Sequence, residues 1–223
     1  MKKGEKKKQQ KALARRTKRK AAQKTTRSLT QVSSAMSLLR EARSYPLLGC
    51  WAPSDWDQHG LAVVTVARRQ PNNLVTFATF LVDYYCLGVK SAYFNVDVPH
   101  HQFMSEYLPK MMLGAEPTQV PLALAHELIY GSVEYAARWG FRPAPDFKIA
   151  QLVLDPPDAH PVTGQIEFGK DGKPLFISGP HDNVQAILHQ LTRTAGEGAF
   201  HFMTAIDPSG FDFTLDAGEE PAE

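Results

Sequence analysis

Hydrophobic and polar residues are arranged between positions 60 and 98 in a pattern that predicts β-strands. Residues 60–69 and 74–85 are rich in β-branched and aromatic side chains, and Pro71-Asn72-Asn73 between them is typical of a turn. We therefore expect an antiparallel hairpin here, followed by a third strand over 92–98.

The second half of the chain is predicted to add further strands. Residues 147–154 form an apolar run that Asp155-Pro156-Pro157 ends, and 199–206 predict a final strand. Residues 165–178 predict a second hairpin, because Gly169-Lys170-Asp171-Gly172 lies between two alternating segments and Asp-Gly suits the positive-φ positions of a tight turn.

Apolar residues recur at helical spacing in four other segments, namely 29–43, 100–112, 121–139 and 181–193. The pattern is clearest in 121–139, where Pro121 suits the first turn and Gly140 suits the C-cap. Together these elements predict a single α+β domain over 29–206, with antiparallel hairpins, a leading helix and about three to four helices in all. A hydrophobic content of 43% supports a core and excludes a fully disordered chain.

The charged residues are distributed unevenly, although the net charge of the whole chain is only +2. Residues 1–27 contain 13 Lys and Arg and a single acid, Glu5, which gives a charge of about +12. The other residues contain 12 Lys and Arg against 22 Asp and Glu, and six of these acids fall in 207–223. The sequence therefore predicts a disordered basic arm over 1–28 and a disordered acidic tail over 207–223.

The basic arm favours a polyanionic partner. Clustered cations attract phosphates and release condensed counterions, so binding should weaken steeply as the salt concentration rises. The arm has no aromatic side chain and should supply affinity rather than sequence choice. We expect nucleic acid, in particular RNA or the ribosome, to be bound by Arg15, Arg16, Lys18, Arg19, Lys20 and Arg27. A tail that only keeps the chain soluble is the alternative.

Several other classes of protein leave no signal in the sequence. No stretch approaches 18 consecutive apolar residues, so no membrane span is predicted. Cys50 and Cys86 are expected to be buried, reduced thiols of a cytoplasmic protein. We predict no cofactor, because the phosphate-binding pattern GxxxxGK[ST] is missing. We also predict no metal, because the one local cluster of possible ligands has a spacing that matches no metal signature. The cluster consists of Asp97, His100, His101 and Glu106.

Three blocks of the sequence resemble a group of uncharacterised bacterial proteins. The blocks are VDYYCLGVK at 82–90, GSVEYAARWGFRPAPDF at 131–147 and FGKDGKPLFISGPHDN at 168–183. The resemblance covers roughly residues 45–205 and includes the pair Cys50-Trp51. It implies a bacterial cytosolic protein, and it brings no activity and no catalytic residue with it.

Four polar residues are candidates for catalysis. His126 and Glu134 share one face of the 121–139 helix, Asp83 ends an apolar strand, and Asp146 follows the segment GFRPAP. Imidazole and carboxylate groups that converge on one substrate can act as general acid and base. Three of these residues also have a structural explanation. Asp83 can stabilise the turn at Leu87-Gly88 or pair with Lys90, and His126 and Glu134 can belong to a polar helix surface.

Three functions stay open at the level of the sequence. The first is a non-enzymatic protein that the basic arm tethers to nucleic acid. The second is a hydrolase or nuclease whose site includes Asp83, His126, Glu134 or Asp146. The third is a protein-interaction module that uses the acidic body. The sequence contains no strong catalytic signature, and this favours the first function.

Overall fold

An antiparallel sheet of five strands forms the centre of the structure. The strands are β1 Leu47–Pro53, β2 Leu61–Arg69, β3 Leu74–Asp83, β4 Gly88–Pro99 and β5 Pro117–Val120. The first four follow one another as a meander and β5 pairs with β1, which gives the order β4-β3-β2-β1-β5. Two short strands, β6 Leu175–Ile177 and β7 His201–Met203, form a separate parallel pair. This computed structural model describes residues 34–112 and 114–203 of the chain.

Five helices are present in the described residues. The first, α1, covers 34–41 and continues as a 3-10 turn over Ala42–Ser44. Helices α2 and α3 each have a π-helical middle: α2 consists of His100–Gln102, Phe103–Tyr107 and Leu108–Met111, and α3 consists of Leu122–His126, Glu127–Gly131 and Ser132–Arg138. The fourth, α4, covers Phe147–Ala150 and continues as a 3-10 turn over Gln151–Val153, and α5 covers Val184–Thr194.

Helices cover both faces of the sheet. On one face, α1, α3 and α4 pack against β1 to β4 in a main core, whose largest fully buried members are Phe80, Leu39, Leu128, Ile129, Leu154, Val64 and Val66. On the opposite face, α2 packs in a second core around Trp51, Phe77 and Phe103. The five-stranded sheet is therefore buried on both faces, which explains why β2 and β3 are nearly continuous apolar runs.

The structure confirms most of the predicted elements. The hairpin of β2 and β3 forms, with its turn at Pro71–Asn73, and the third strand is β4, which begins earlier than expected at Gly88. The predicted helices correspond to α1, α2, α3 and α5. Each helix in the described part of the chain is too short or too polar to cross a membrane. The predicted arm over 1–28 and acidic tail over 207–223 lie outside the described residues.

The prediction of a strand over 147–154 is wrong. This segment is the helix α4 and the 3-10 turn that follows it. Its buried residues are Phe147, Ala150, Val153 and Leu154, whose spacing of three and four fits a helix better than a strand. The number of helices is consequently five in the described residues, above the predicted three to four.

The prediction of a hairpin over 165–178 is also wrong. The tight turn forms, with φ values of 51° at Asp171 and 76° at Gly172, but only Lys170 and Lys173 bridge across it. The expected first strand is absent because Ile166 and Phe168 pack against the main core instead of pairing with a strand. The expected second strand becomes β6, which pairs with β7.

A buried ion pair joins the sheet to the segment that follows α4. Arg68 of β2 is only 5% exposed, and its Nη2 donates to Asp155 Oδ1 at 2.5 Å. Its Nε donates to the carbonyl oxygen of Val153 at 2.7 Å, and its Nη1 donates to that of Tyr45 at 3.1 Å. One guanidinium thus holds together the start of β1, the end of β2 and the irregular chain after α4.

We predict that Arg68→Ala destabilises the domain by about 3 kcal/mol, because Asp155 and two carbonyl groups lose their partner. Arg69 is exposed at the next position and provides a matched control, since Arg69→Ala should change the free energy of unfolding by less than about 0.5 kcal/mol. Urea unfolding followed by tryptophan fluorescence measures both values. Equal effects of the two substitutions would contradict the structural role of Arg68.

Candidate functional site

A cleft of about 690 Å³ opens between α3 and the chain from Pro157 to Phe168. We call it the α3 cleft. Its walls combine imidazole, aromatic, carboxylate and guanidinium groups, and the side chains that matter most are His126, Tyr130, Glu134, Arg138, His160 and Phe168. One wall is helical and the other has no regular structure, so the shape of the cleft depends on how α3 holds the irregular chain.

Two side chains of α3 hold the irregular wall through its backbone carbonyl groups. His126 Nε2 lies 2.9 Å from the carbonyl oxygen of Pro156, and the Tyr130 hydroxyl donates to that of Asp155 at 3.2 Å. Because a carbonyl oxygen can only accept, Nε2 of His126 carries the proton and Nδ1 of the neutral ring carries the lone pair. Burial lowers the pKa of His126, so the neutral ring is the main form at neutral pH.

Glu127 holds the same wall further along the chain. Its buried carboxylate accepts hydrogen bonds from the backbone N–H of Thr163 at 2.5 Å and of Gly164 at 3.3 Å, and from the Thr163 hydroxyl. Hydrogen bonds of this kind compensate a carboxylate for its loss of water. Glu127 is therefore a positioning residue that fixes the loop.

The π-helical segment Glu127–Gly131 lies at the centre of the helical wall. His126, Glu127, Tyr130 and Gly131 all line the cleft. Gly131 is required for close packing, since a Cβ atom there would lie 2.3 Å from the ring of Phe168. Single π-helical turns within α-helices are frequent at functional sites.

An aspartate and two histidines are in contact on this side of the cleft. His160 Nε2 lies 2.8 Å from Asp155 Oδ2, and the His160 ring packs edge-on against His126 with the ring centroids 4.9 Å apart. Burial opposes ionisation of Asp155, but the hydrogen bond from His160 and the charge of Arg68 outweigh it and lower the pKa of Asp155. Asp155 is thus ionised at neutral pH and orients the imidazole of His160.

Aromatic rings form the apolar part of the cleft. Phe168 stacks on the buried ring of Tyr135, with centroids 6.0 Å apart and an interplanar angle of 28°. The guanidinium of Arg138 lies 5.8 Å from the centre of the Tyr135 ring. Val162 also lines the cleft and is 79% exposed, so this part of the lining is open to solvent.

The four residues that the sequence singled out are divided between different places. His126 and Glu134 both line the α3 cleft. Asp83 lines a second pocket of about 530 Å³, and the exposed Asp146, at the start of α4, lines neither of these two cavities. Sequence reasoning missed Asp155, His160 and Phe168 as residues near one site. The available signal was the carboxylate and imidazole of the segment DPPDAHP at 155–161.

Asp83 stabilises the turn between β3 and β4. It is 6% exposed, and its Oδ1 accepts hydrogen bonds from the backbone N–H groups of Tyr85 at 3.1 Å and Cys86 at 2.8 Å. Lys90 pairs with Asp182 at 2.6 Å rather than with Asp83. Burial raises the pKa of Asp83 to about 6, despite the hydrogen bonds to the carboxylate and the nearby charge of Lys90.

Thiol and metal chemistry have little support in the described residues. Cys50 and Cys86 are buried and unbridged, as predicted, and burial raises the pKa of Cys50 to about 12 and also raises that of Cys86. Neither thiol is therefore an activated nucleophile. Over 34–112 and 114–203, no group of three or more His, Cys, Asp and Glu side chains is placed to hold a metal ion.

Comparisons of the chain with protein-family models, with curated proteins and with solved structures found no match. The resemblance to a group of bacterial proteins therefore stays a prediction. The six arm residues predicted to contact nucleic acid, from Arg15 to Arg27, lie outside the described residues and also stay a prediction.

We predict that the stability contributed by Asp83 decreases as the pH rises. The pKa of Asp83 in the folded chain, about 6, is above its ordinary value of 3.8, so the folded state binds the proton more tightly than the unfolded state does. This contribution is complete below the ordinary pKa and is lost as the pH rises through about 6. Asp83→Asn keeps the acceptor oxygen but cannot titrate.

Urea unfolding at a series of pH values measures this effect. The stability of the wild type relative to Asp83→Asn should fall by about 3 kcal/mol between roughly pH 4 and pH 8. Asp146→Asn, which changes an exposed carboxyl, serves as the control and should show no comparable trend. A difference between wild type and Asp83→Asn that is constant across this range would show that burial does not govern this carboxyl.

Proposed function

We propose that this chain is a nucleic-acid-associated protein that its basic arm tethers to RNA or to the ribosome. The observation that carries the proposal is the separation of charge along the chain. Residues 1–27 hold 13 Lys and Arg against one acid, and the rest of the chain is net acidic. A cluster of cations at this density attracts phosphate groups regardless of their sequence.

The charges of the described domain are consistent with a role for the arm in binding nucleic acid, because the domain itself carries a net negative charge. Residues 34–203 contain 12 Lys and Arg against 16 Asp and Glu. Arg68 and Lys90 are held in ion pairs with Asp155 and Asp182, and neither is exposed. Long-range attraction to nucleic acid would therefore come from the arm.

Binding to a fluorescent single-stranded RNA at increasing KCl concentrations tests the proposal. The slope of log Kobs against log salt should become shallower by about 4 when six arm cations are replaced by Gln, since each phosphate contact on a single strand contributes about 0.7. The residues to replace are Arg15, Arg16, Lys18, Arg19, Lys20 and Arg27.

A matched variant in the body controls for the change in total charge. It replaces six exposed cations by Gln, namely Arg40, Arg69, Lys110, Arg142, Lys148 and Arg193. This variant should keep most of the affinity and of the salt slope. Equal losses in the two variants, or an affinity for RNA that is indifferent to KCl, would contradict the role of the arm.

A hydrolase is the second candidate function. The observation that favours it is the Asp155–His160 pair beside His126, since a carboxylate that orients an imidazole is a common arrangement in acid–base catalysis. This candidate predicts that the full chain shortens a labelled RNA and that His160→Gln, which removes the imidazole, stops the cleavage. Gel analysis of the RNA gives the answer, and RNA that stays intact with the full chain rejects this candidate for RNA.

A further inference from the structure

We propose that the α3 cleft binds a nucleobase of the single strand that the basic arm holds. This inference rests on the proposed function and assigns a recognition step to the folded domain. The arm contains no aromatic residue, so it offers no aromatic ring on which a base could stack. A protein that combines such an arm with an aromatic-lined cleft has separate surfaces for phosphates and for bases.

The size and the lining of the α3 cleft fit a planar ring. Its volume of about 690 Å³ lies within the range of small-molecule sites, about 300 to 1,000 Å³. Tyr130 and Phe168 line it together with the imidazoles of His126 and His160. Stacking on such rings tolerates any base, because every base has a π face.

Polar groups of the lining match the hydrogen-bonding edge of a base. Glu134 and Arg138 are exposed and lie 3.8 Å apart in a loose ion pair, so both side chains can turn towards a ligand. A carboxylate accepts from exocyclic amino groups, and a guanidinium donates to ring nitrogen and carbonyl oxygen atoms.

The turn that follows α1 lies next to this cleft. Arg43, just after α1, donates from Nε to the carbonyl oxygen of Leu154 at 2.5 Å and from Nη2 to that of Gln151 at 3.4 Å. The next residue, Asp155, is held by Tyr130 of the cleft. The 33 residues before α1 have a contour length of about 100 Å, which is ample for one strand to contact both the arm and the cleft.

Two strands that differ only in their bases test the inference on the full chain. One is a short single-stranded oligoribonucleotide, and the other has the same number of phosphates but abasic sugars. The arm should bind both equally, whereas the cleft can bind only the strand with bases. We expect the strand with bases to bind about tenfold more tightly, which is the order of effect of one stacked base.

Substitution of one ring locates the preference for bases. Phe168→Leu keeps an apolar side chain but removes the stacking face, so the preference should fall to about twofold while the salt slope stays unchanged. Phe200→Leu is the matched control, because Phe200 is also a half-buried aromatic residue but does not line the cleft. Circular dichroism reports whether each variant is folded. If Phe168→Leu does not fold, the comparison of the two strands on the wild-type chain alone tests whether the cleft binds a base.

The outcomes separate this inference from the proposed function. Equal, salt-dependent binding of both strands would overturn the base site and leave the tethering role intact. Failure of both strands to bind would overturn the tethering role, and the inference with it. Titration with adenosine monophosphate tests whether the cleft binds a free nucleotide rather than a base of a strand. The mononucleotide could bind as tightly as the oligoribonucleotide, with an affinity that does not change when the six arm cations are replaced. That result would overturn the claim that the arm delivers the base.

Discussion

Buried polar contacts to the chain between Asp155 and Gly164 are the constraint on which the arrangement of this domain depends. That chain has no regular secondary structure, and side chains from the sheet and from α3 hold it in place. Arg68 fixes its beginning through Asp155, and Glu127 fixes its end through Thr163 and Gly164. An unpaired charge or carbonyl group in this position would be costly. These contacts keep the segment between Asp155 and Gly164 separated from α3, and the space between the two is the α3 cleft.

The same contacts relate the cleft to the rest of the molecule. Arg68 belongs to the central sheet, Tyr130 belongs to α3, and Arg43 binds the carbonyl group next to Asp155. The end of α1, the sheet and the helical wall therefore meet at one short stretch of backbone. The wall of the cleft is consequently coupled to the buried core of the domain.

The elements that could be predicted are those with a long apolar run or a regular apolar stripe, and the predictions failed where contacts between distant segments decide the structure. The apolar runs of β2 and β3 and the stripe of α5 could be recognised directly. The spacing of Phe147, Ala150 and Val153 was helical, but the apolar side chains between them concealed it. The strands β1 and β5 gave a weak signal, because β1 contains Gly49 and β5 is only four residues long and begins with a proline. The ion pair between Asp155 and Arg68 joins residues far apart along the chain, so local pattern could not reveal it.

We propose that nucleic-acid binding is divided between an arm that attracts phosphates and a cleft that accepts a base. Ultraviolet cross-linking of the full chain to an RNA that contains 4-thiouridine, followed by peptide mapping, tests this division most directly. We expect cross-linked peptides from the α3 cleft, around Tyr130 or Phe168, in addition to peptides from the arm. Cross-links confined to the arm, or located on the face of the sheet that α2 covers, would contradict it.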